Sequence, residues 1–547
     1  MKIRKISLVA LALTLGLASC KTIDIAKVAG ENQVVSVTTK KELSKEEKDN
    51  YMHLSLLDDH ISGVSADKAH EALEGMVPTT VIVGVVDSGM DIEHEDLKNV
   101  IWTNTGEIAG NGIDDDKNGF VDDIHGWNFL GKMEGANLEV TRLYKKLKPL
   151  YEGKTAADVP AEKQEEFKLY EQVKEEYTTE FEKATTMYGQ YKKMADMYEA
   201  SKAAIAKKLG KEDYTLEEVQ AIQTEDADFK QMIGLYAGMT AQGVDSKRLK
   251  RILKYFKSKT DYYLNTKENF RAVLNDNPED ITDTHYGDND VIGNKETEQH
   301  ATHVAGIIGA ERNNGKGMNG IAGHVRIMSV RVVPDGDEND KDVALGIRYA
   351  VDNGAKVINM SFGKTYSPHR AWVADAIKYA AKHDVLLVKA AGNDNTDVDG
   401  KLHFPTDVAL DGVSEIADNV ISVGASTPYF NEKLPTDFSN YGQTRTDVFA
   451  PGFQIYSTIP NDKYEHFNGT SMASPVVAGV AAVIRSYFPK LTAAQVKQII
   501  LLSGNKTNQE VELPGDAEQK VAFTKLSKTG TVVNLYKAIE LAKKVSK

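Results

Sequence analysis

Cysteine is almost missing from this chain: Cys20 is the only one in 547 residues. One thiol makes no intrachain disulfide, no cysteine-based zinc cluster and no CxxC redox site. Long apolar runs are scarce as well. Beyond the N-terminus none reaches the eighteen or so residues of a membrane-crossing helix, so the mature chain is not expected to span a bilayer. Basic charge is in deficit, with 66 Lys and Arg against 80 Asp and Glu and a formal net charge of −14. No strongly basic domain stands out, which argues against a nucleic-acid partner. What is present is a 41% hydrophobic chain, too apolar for wholesale disorder. Its length fits roughly two to four domains.

The first residues are a targeting segment. Lys2, Arg4 and Lys5 precede an apolar core from Ile6 to Leu17, so residues 1–19 read as an export signal and not as a fold element. The segment ends Leu17-Ala18-Ser19-Cys20, which resembles a bacterial lipoprotein box and implies lipidation of Cys20. An acylated Cys20 would anchor the chain to a bacterial membrane in the cell envelope without spanning it. An ordinary secretory signal with Cys20 near its cleavage site is the alternative. Residues 20–77 then read as a polar tether, with Leu54–Leu73 as an N-terminal arm wrapping the domain that follows.

From Pro78 the composition changes. Thr80–Val86 is a continuous apolar run, and β-rich runs recur at Val325–Val333, Val357–Met360, Val385–Ala390 and Val420–Val423. Helical patterns lie between several of them, at Val343–Asn353 and Trp372–His383. This alternation predicts an α/β fold with a mostly parallel central sheet covered on both faces. Residues 131–280 differ: they have little β pattern, much Lys and Glu, and about half of the 23 tyrosines. Phe167, Tyr170, Tyr177, Phe181, Ala184, Tyr188, Tyr191, Met194 and Tyr198 fall mostly three and four apart, one apolar face of a helix. A single unbroken helix over 161–209 would be about 70 Å long. Its aromatic stripe needs a partner, for which Ser246–Leu264 is the candidate. The reading is an inserted all-helical hairpin or bundle over 131–280 that divides one α/β domain into 78–130 and 281–547.

Three segments carry the chemistry. Val85-Val86-Asp87-Ser88-Gly89 closes a buried strand with a carboxylate and a glycine turn, at the strand end where open α/β sheets bind ligands. Alone, Asp87 reads equally as a cap or turn residue. Gln299-His300-Ala301-Thr302-His303-Val304-Ala305-Gly306 opens an apolar helix. Its two histidines lack the carboxylate of an HExxH zinc site, and a lone histidine is usually a satisfied polar residue. Asn468-Gly469-Thr470-Ser471-Met472-Ala473-Ser474-Pro475 leads into a small-residue helix. Ser471 at its N-terminus would be an N-cap, or a nucleophile whose oxyanion faces free N–H groups.

Together these motifs resemble the subtilisin-like serine peptidases, or subtilases, in that family's Asp…His…Ser order. The resemblance covers about residues 80–130 and 281–540. It implies a subtilisin-like three-layer fold and an endopeptidase acting on proteins or peptides, with Asp87 as the acid, His300 as the base and Ser471 as the nucleophile. Ala390-Ala391-Gly392-Asn393 matches the segment that supplies a side-chain oxyanion donor, Asn393. Asn359-Met360-Ser361-Phe362-Gly363 matches the segment that pairs with substrate backbone. The implied substrate-binding residues are Ser361, Phe362, Gly363, Ala390, Ala391 and Gly392, the alanines marking a roomy pocket entrance. The sequence departs from the family pattern at Ala301, where glycine is usual. The 213 residues from Asp87 to His300 are also unusually many, and little room precedes Pro78 for a folded propeptide.

A second site is legible between the first two motifs. Asp114, Asp116, Asn118 and Asp122, with the Phe120 carbonyl, place oxygens at alternate loop positions around Gly119, which suits a structural Ca²⁺. His125 stands where an EF-hand has Glu, so Asp123 is expected to complete the set. A solvated acidic turn is the bland alternative. A second reading of the whole protein also stays open, a non-catalytic or narrowly specific surface module whose helical insertion binds a partner protein.

Overall fold

The computed structural model describes residues 23–547; the targeting segment and Cys20 lie outside the described residues. Among the described residues there are thirteen strands: β1 Val81–Asp87, β2 Gly126–Asn128, β3 Val325–Arg331, β4 Val357–Met360, β5 Leu386–Ala390, β6 Val420–Ser426, β7 Val448–Pro451, β8 Ile455–Ile459, β9 Lys463–Phe467, β10 Asn505–Lys506, β11 Glu510–Leu513, β12 Asp516–Ala522 and β13 Thr531–Val532. Nine form one sheet in the order β10-β13-β7-β6-β5-β4-β1-β3-β2. Every pairing in it is parallel except β10 with β13. β8 and β9 make a separate antiparallel hairpin, as do β11 and β12.

The parallel strands are apolar throughout because both faces are covered. Alternate residues of β1 serve different cores. Val83 and Val85 join the larger one, with the helices His300–Gly309 and Thr470–Tyr487. Val86 joins the other, with Asp340–Asp352 and Arg370–Lys382. The parallel topology also brings the C-terminal ends of β1, β4 and β5 to one edge, so Asp87, Met360 and Ala390 close neighbouring strands.

Between β2 and β3 the chain is almost wholly helical. Helix Glu139–Tyr151 packs against a 46-residue helix, Gln164–Leu209, which also carries Ala227–Ala241 and Ser246–Ser258 on its distal half. The aromatic stripe is packing. Phe167 and Tyr170 are buried against Tyr151, Tyr177 stacks on Tyr144 at 4.4 Å, and Tyr191 stacks on Phe256 at 5.5 Å. Phe181 stacks on Tyr177 at 5.8 Å and stays partly exposed. The helix Ala227–Ala241 has no counterpart in the sequence reading.

The stretch expected as a polar tether is packed from Ile25 onward. Helix Ile25–Ala29 lies against Ala493–Ser503 and Leu535–Val545. Helix Ala66–Ala72 packs on Leu535–Val545, and Leu56 and Ile61 are fully buried.

Candidate active site

Asp87 ends β1 as a buried side chain. Its Oδ1 accepts the Ser88 N–H at 2.7 Å and lies 2.7 Å from His300 Nδ1. Oδ2 is buried with no partner among the described residues. Two further links fix the two elements. The Ala301 N–H donates to Ser88 Oγ at 3.3 Å, and the Asp91 N–H to Thr302 Oγ1 at 2.9 Å. The methyl group of Ala301, where the family usually has glycine, is buried without disturbing the Asp87–His300 bond. Burial works to lower the His300 pKa, but the charge of Asp87 and the bond to it outweigh burial and hold it above the ordinary histidine value.

His303, one turn on, has a different environment. Its ring is buried, stacks on Phe467 at 4.2 Å and bonds the Glu465 carbonyl through Nε2 at 3.0 Å. Burial pushes its pKa down to about 3. It is a neutral packing residue, and the two histidines form no metal pair. The small residues of this helix serve close approach: a Cβ at Gly306 would come within 2.3 Å of Thr458 Oγ1.

Ser471 is the second residue of the helix Thr470–Tyr487, which packs directly on the histidine helix. Its hydroxyl donates to the Ser361 carbonyl at 2.9 Å, while Ser361 Oγ donates to the Ser471 carbonyl at 2.8 Å. Pro475 explains the second bond. It has no N–H to give the carbonyl four residues back, so the Ser471 carbonyl is free for Ser361. No hydrogen bond joins Ser471 to His300, the hydroxyl being donated to Ser361.

Thr470 organises the oxyanion side. Its N–H and hydroxyl both donate to Asn393 Oδ1, at 2.8 and 3.0 Å, so the Asn393 amide is held by its oxygen end and its N–H₂ faces outward on an exposed side chain. The Gly392 N–H donates to Thr470 Oγ1 at 3.1 Å. Gly392 adopts φ +110, and a Cβ there would lie 2.1 Å from Asn440 Nδ2. The site thus holds a carboxylate–imidazole pair, a serine at a helix N-terminus with first-turn N–H groups, and an amide aimed outward: the parts for acyl transfer.

Of the expected substrate residues, Ser361 reaches Ser471 directly. Ala390 and Ala391 are buried. The space between the two segments holds His403. A Cβ on Gly363 would meet its ring at 2.1 Å and one on Gly392 at 3.0 Å. His403 thus lies against the Gly363 and Gly392 backbones, beside the segment whose alanines suggested a roomy entrance. Nothing in the local sequence marks His403, which comes from a loop after β5.

The acidic loop is corrected. Glu107, Asp114 and Asp116 bring carboxylate oxygens within 4.8 Å of one another. Asp122 and Asp123 are not part of that group and are engaged in hydrogen bonds of their own. Asp122 adopts φ +54 and caps the N–H groups of Asn111 and Gly112 at 3.2 and 2.9 Å. Asp123 takes Asn104, Asn118 and the Tyr349 hydroxyl. Asn118 Oδ1 accepts the Phe120 N–H at 2.8 Å, and the Phe120 ring packs on Trp127 and Tyr349. Three converging carboxylates still fit a hard cation, through Glu107 in place of the two downstream aspartates. Glu107 stands outside the loop that the spacing rule reads.

Similarity to known proteins agrees with this geometry. The family described as Subtilase family, Peptidase_S8, matches residues 79–518. A thermophilic serine proteinase of Bacillus sp. (strain AK1) is 42% identical over 188 residues, covering 34% of this chain and 42% of that protein. Subtilisin DY of Bacillus licheniformis is 36% identical over 211 residues, 38% of this chain and 70% of its own length. Thermitase of Thermoactinomyces vulgaris is 38% identical over 203 residues, 36% of this chain and 66% of its own. The chain spans less than half the length of the first of these relatives and about two thirds of the other two. With four fifths of its length matched by one family and the family's three motifs gathered at one sheet edge, the chain belongs to the subtilases.

Proposed function

We propose that the protein is a serine endopeptidase that hydrolyses peptide bonds in protein or peptide substrates through an acyl-enzyme on Ser471. The observation that carries this reading is the 2.7 Å contact between His300 Nδ1 and buried Asp87, beside a serine at a helix N-terminus. Ser471 Oγ attacks the carbonyl carbon and His300 Nε2 takes its proton. The tetrahedral intermediate collapses as the imidazolium returns that proton to the leaving amine. Water, activated by the same imidazole, then releases the acid and restores the hydroxyl. Asp87 holds the ring and stabilises its charged form. Asn393 and the Ser471 N–H receive the oxyanion. The test is hydrolysis of casein and of a chromogenic peptide by wild type and Ser471→Ala: turnover should disappear in the variant, and equal turnover in both refutes the assignment.

Two further parts of the proposal rest on sequence chemistry. The export signal and Cys20 support a chain exported and lipid-anchored to a bacterial membrane; radiolabelled palmitate incorporation that survives Cys20→Ser would refute the anchor. Glu107, Asp114 and Asp116 support one structural Ca²⁺, with no part in the reaction. There the cation would offset the mutual repulsion of three carboxylates.

A further inference from the structure

Two contacts tie the helical segment to the chain just after Ser361–Gly363. The first is a buried charged node around Lys364. Its ammonium, 1% exposed, lies 2.8 Å from Glu139 Oε2, 2.9 Å from Asp340 Oδ1 and 2.8 Å from the Glu338 carbonyl. Glu139 opens the helix Glu139–Tyr151 and is itself 7% exposed. The same carboxylate oxygen takes Arg142 Nη2 at 2.5 Å, and Arg142 also donates to the carbonyls of Asn137, Asp337 and Glu338. The second contact is Tyr366. Its hydroxyl donates to Glu176 on the long helix at 2.6 Å and accepts from Gln172 at 3.0 Å.

Residues 361–366 are therefore held at both ends. Ser361 exchanges two hydrogen bonds with Ser471 at one end, and Lys364 and Tyr366 are gripped by the helical segment at the other. Gly363, between them, lies against His403, and the Lys364 backbone pairs with Phe404 in both directions, so the side-chain clasp acts alongside that pairing. A buried ammonium that has lost a carboxylate partner is costly, so the node admits few alternative arrangements. Burial works to raise the Glu139 pKa, but the charges of Arg142 and Lys364 outweigh it and hold the carboxyl at about 2.

We propose that Lys364 is a positioning residue for the peptidase reaction: clasped by Glu139, it sets the backbone of Ser361–Gly363 for pairing with an extended substrate. Through it the helical segment tunes peptide binding without touching the reacting atoms. The inference rests on the peptidase reading above.

A merely structural ion pair and a positioning one differ in what they move. The full-length protein is assayed with an extended chromogenic peptide for KM and kcat. In parallel it is labelled with a small fluorophosphonate, which needs Ser471, His300 and the oxyanion donors but no strand pairing. Glu139→Gln should raise KM about tenfold, with kcat and the labelling rate held within about twofold. Glu139→Asp should recover most of the loss. Tyr366→Phe, a milder change on a partly exposed side chain, should raise KM about two- to threefold. Unchanged KM in folded Glu139→Gln overturns the proposal, as do hydrolysis and labelling that fall in step. If Glu139→Gln does not fold, unchanged KM in Tyr366→Phe overturns it. Failure of wild type to label removes the peptidase reading itself, and the proposal with it.

Discussion

The α/β core and the helical segment are held together by different means. In the core one apolar cluster runs without a break from the N-terminal arm through β1 to the C-terminal helix Leu535–Val545. The helical segment has two small clusters instead, a root around Tyr151, Phe167 and Tyr170 and a tip around Ala195, Tyr198 and Leu249. Between them, surface ion pairs such as Lys183–Glu180 line the long helix. Exposed pairs of that kind contribute about 0–1 kcal/mol each. The root and tip clusters therefore carry most of the segment's stability. The difference also assigns roles. The core supplies the reacting groups, whereas the segment reaches the chain beside the site through its root, at Lys364 and Tyr366.

Perturbations confined to one region should sharpen the contrast. The largest effect belongs to the core edge. Ser471→Ala should lower turnover by a factor of about 10⁴ or more while leaving the melting temperature unchanged, read by peptide hydrolysis beside calorimetry. A parallel fall in stability would mean that the Ser471 hydroxyl serves chiefly as a structural donor to Ser361. Asn393→Ala should cost on the order of 10²–10³ in kcat, the range established on subtilisin, with KM little changed. A KM effect alone would deny Asn393 the oxyanion role.

Phe167→Ala tests the other region. It should cost about 3–5 kcal/mol at the root cluster. Limited proteolysis should then cut within residues 139–264 while the core stays intact. Cuts spread evenly over both regions would contradict their separation.

The pH dependence has a definite sign. His300 must be neutral to accept the serine proton, and Asp87 holds its pKa above the ordinary value of about 6.5. The acid limb of kcat/KM should therefore have its midpoint above pH 6.5, and Asp87→Asn should move that midpoint down as it lowers the rate. The pair's contribution to stability is complete below about pH 6.5 and fades as pH rises through the folded pKa. The smallest effect expected is a melting temperature lowered by a few degrees in chelator, abolished in Asp114→Asn. No shift with chelator would remove the cation from the account.

Much of this contrast is written in the sequence, for different reasons in the two regions. Core strands buried on both faces are uninterrupted apolar runs, so Val357–Met360 is legible to the residue and β5 to within one. The helix Asp340–Asp352 begins three residues before its apolar pattern because Asp340, Lys341 and Asp342 are buried in ion pairs with Lys364, Asp276 and Arg271. The long helix shows itself through aromatic spacing. Ala227–Ala241 does not, since it buries no residue fully and Gly234 and Gly238 blur its apolar face. At the site, motif order identifies Asp87, His300 and Ser471, but His403 and Glu107 arrive from outside any motif. Their roles depend on loop paths, such as the left-handed turn at Asp122, that spacing cannot encode.

The most direct test of the central claim is fluorophosphonate labelling followed by peptide mapping of the adduct. The account predicts stoichiometric modification of Ser471 in wild type, abolished by His300→Ala in a protein that still folds. An unlabelled wild type, or an adduct on another residue, would contradict it.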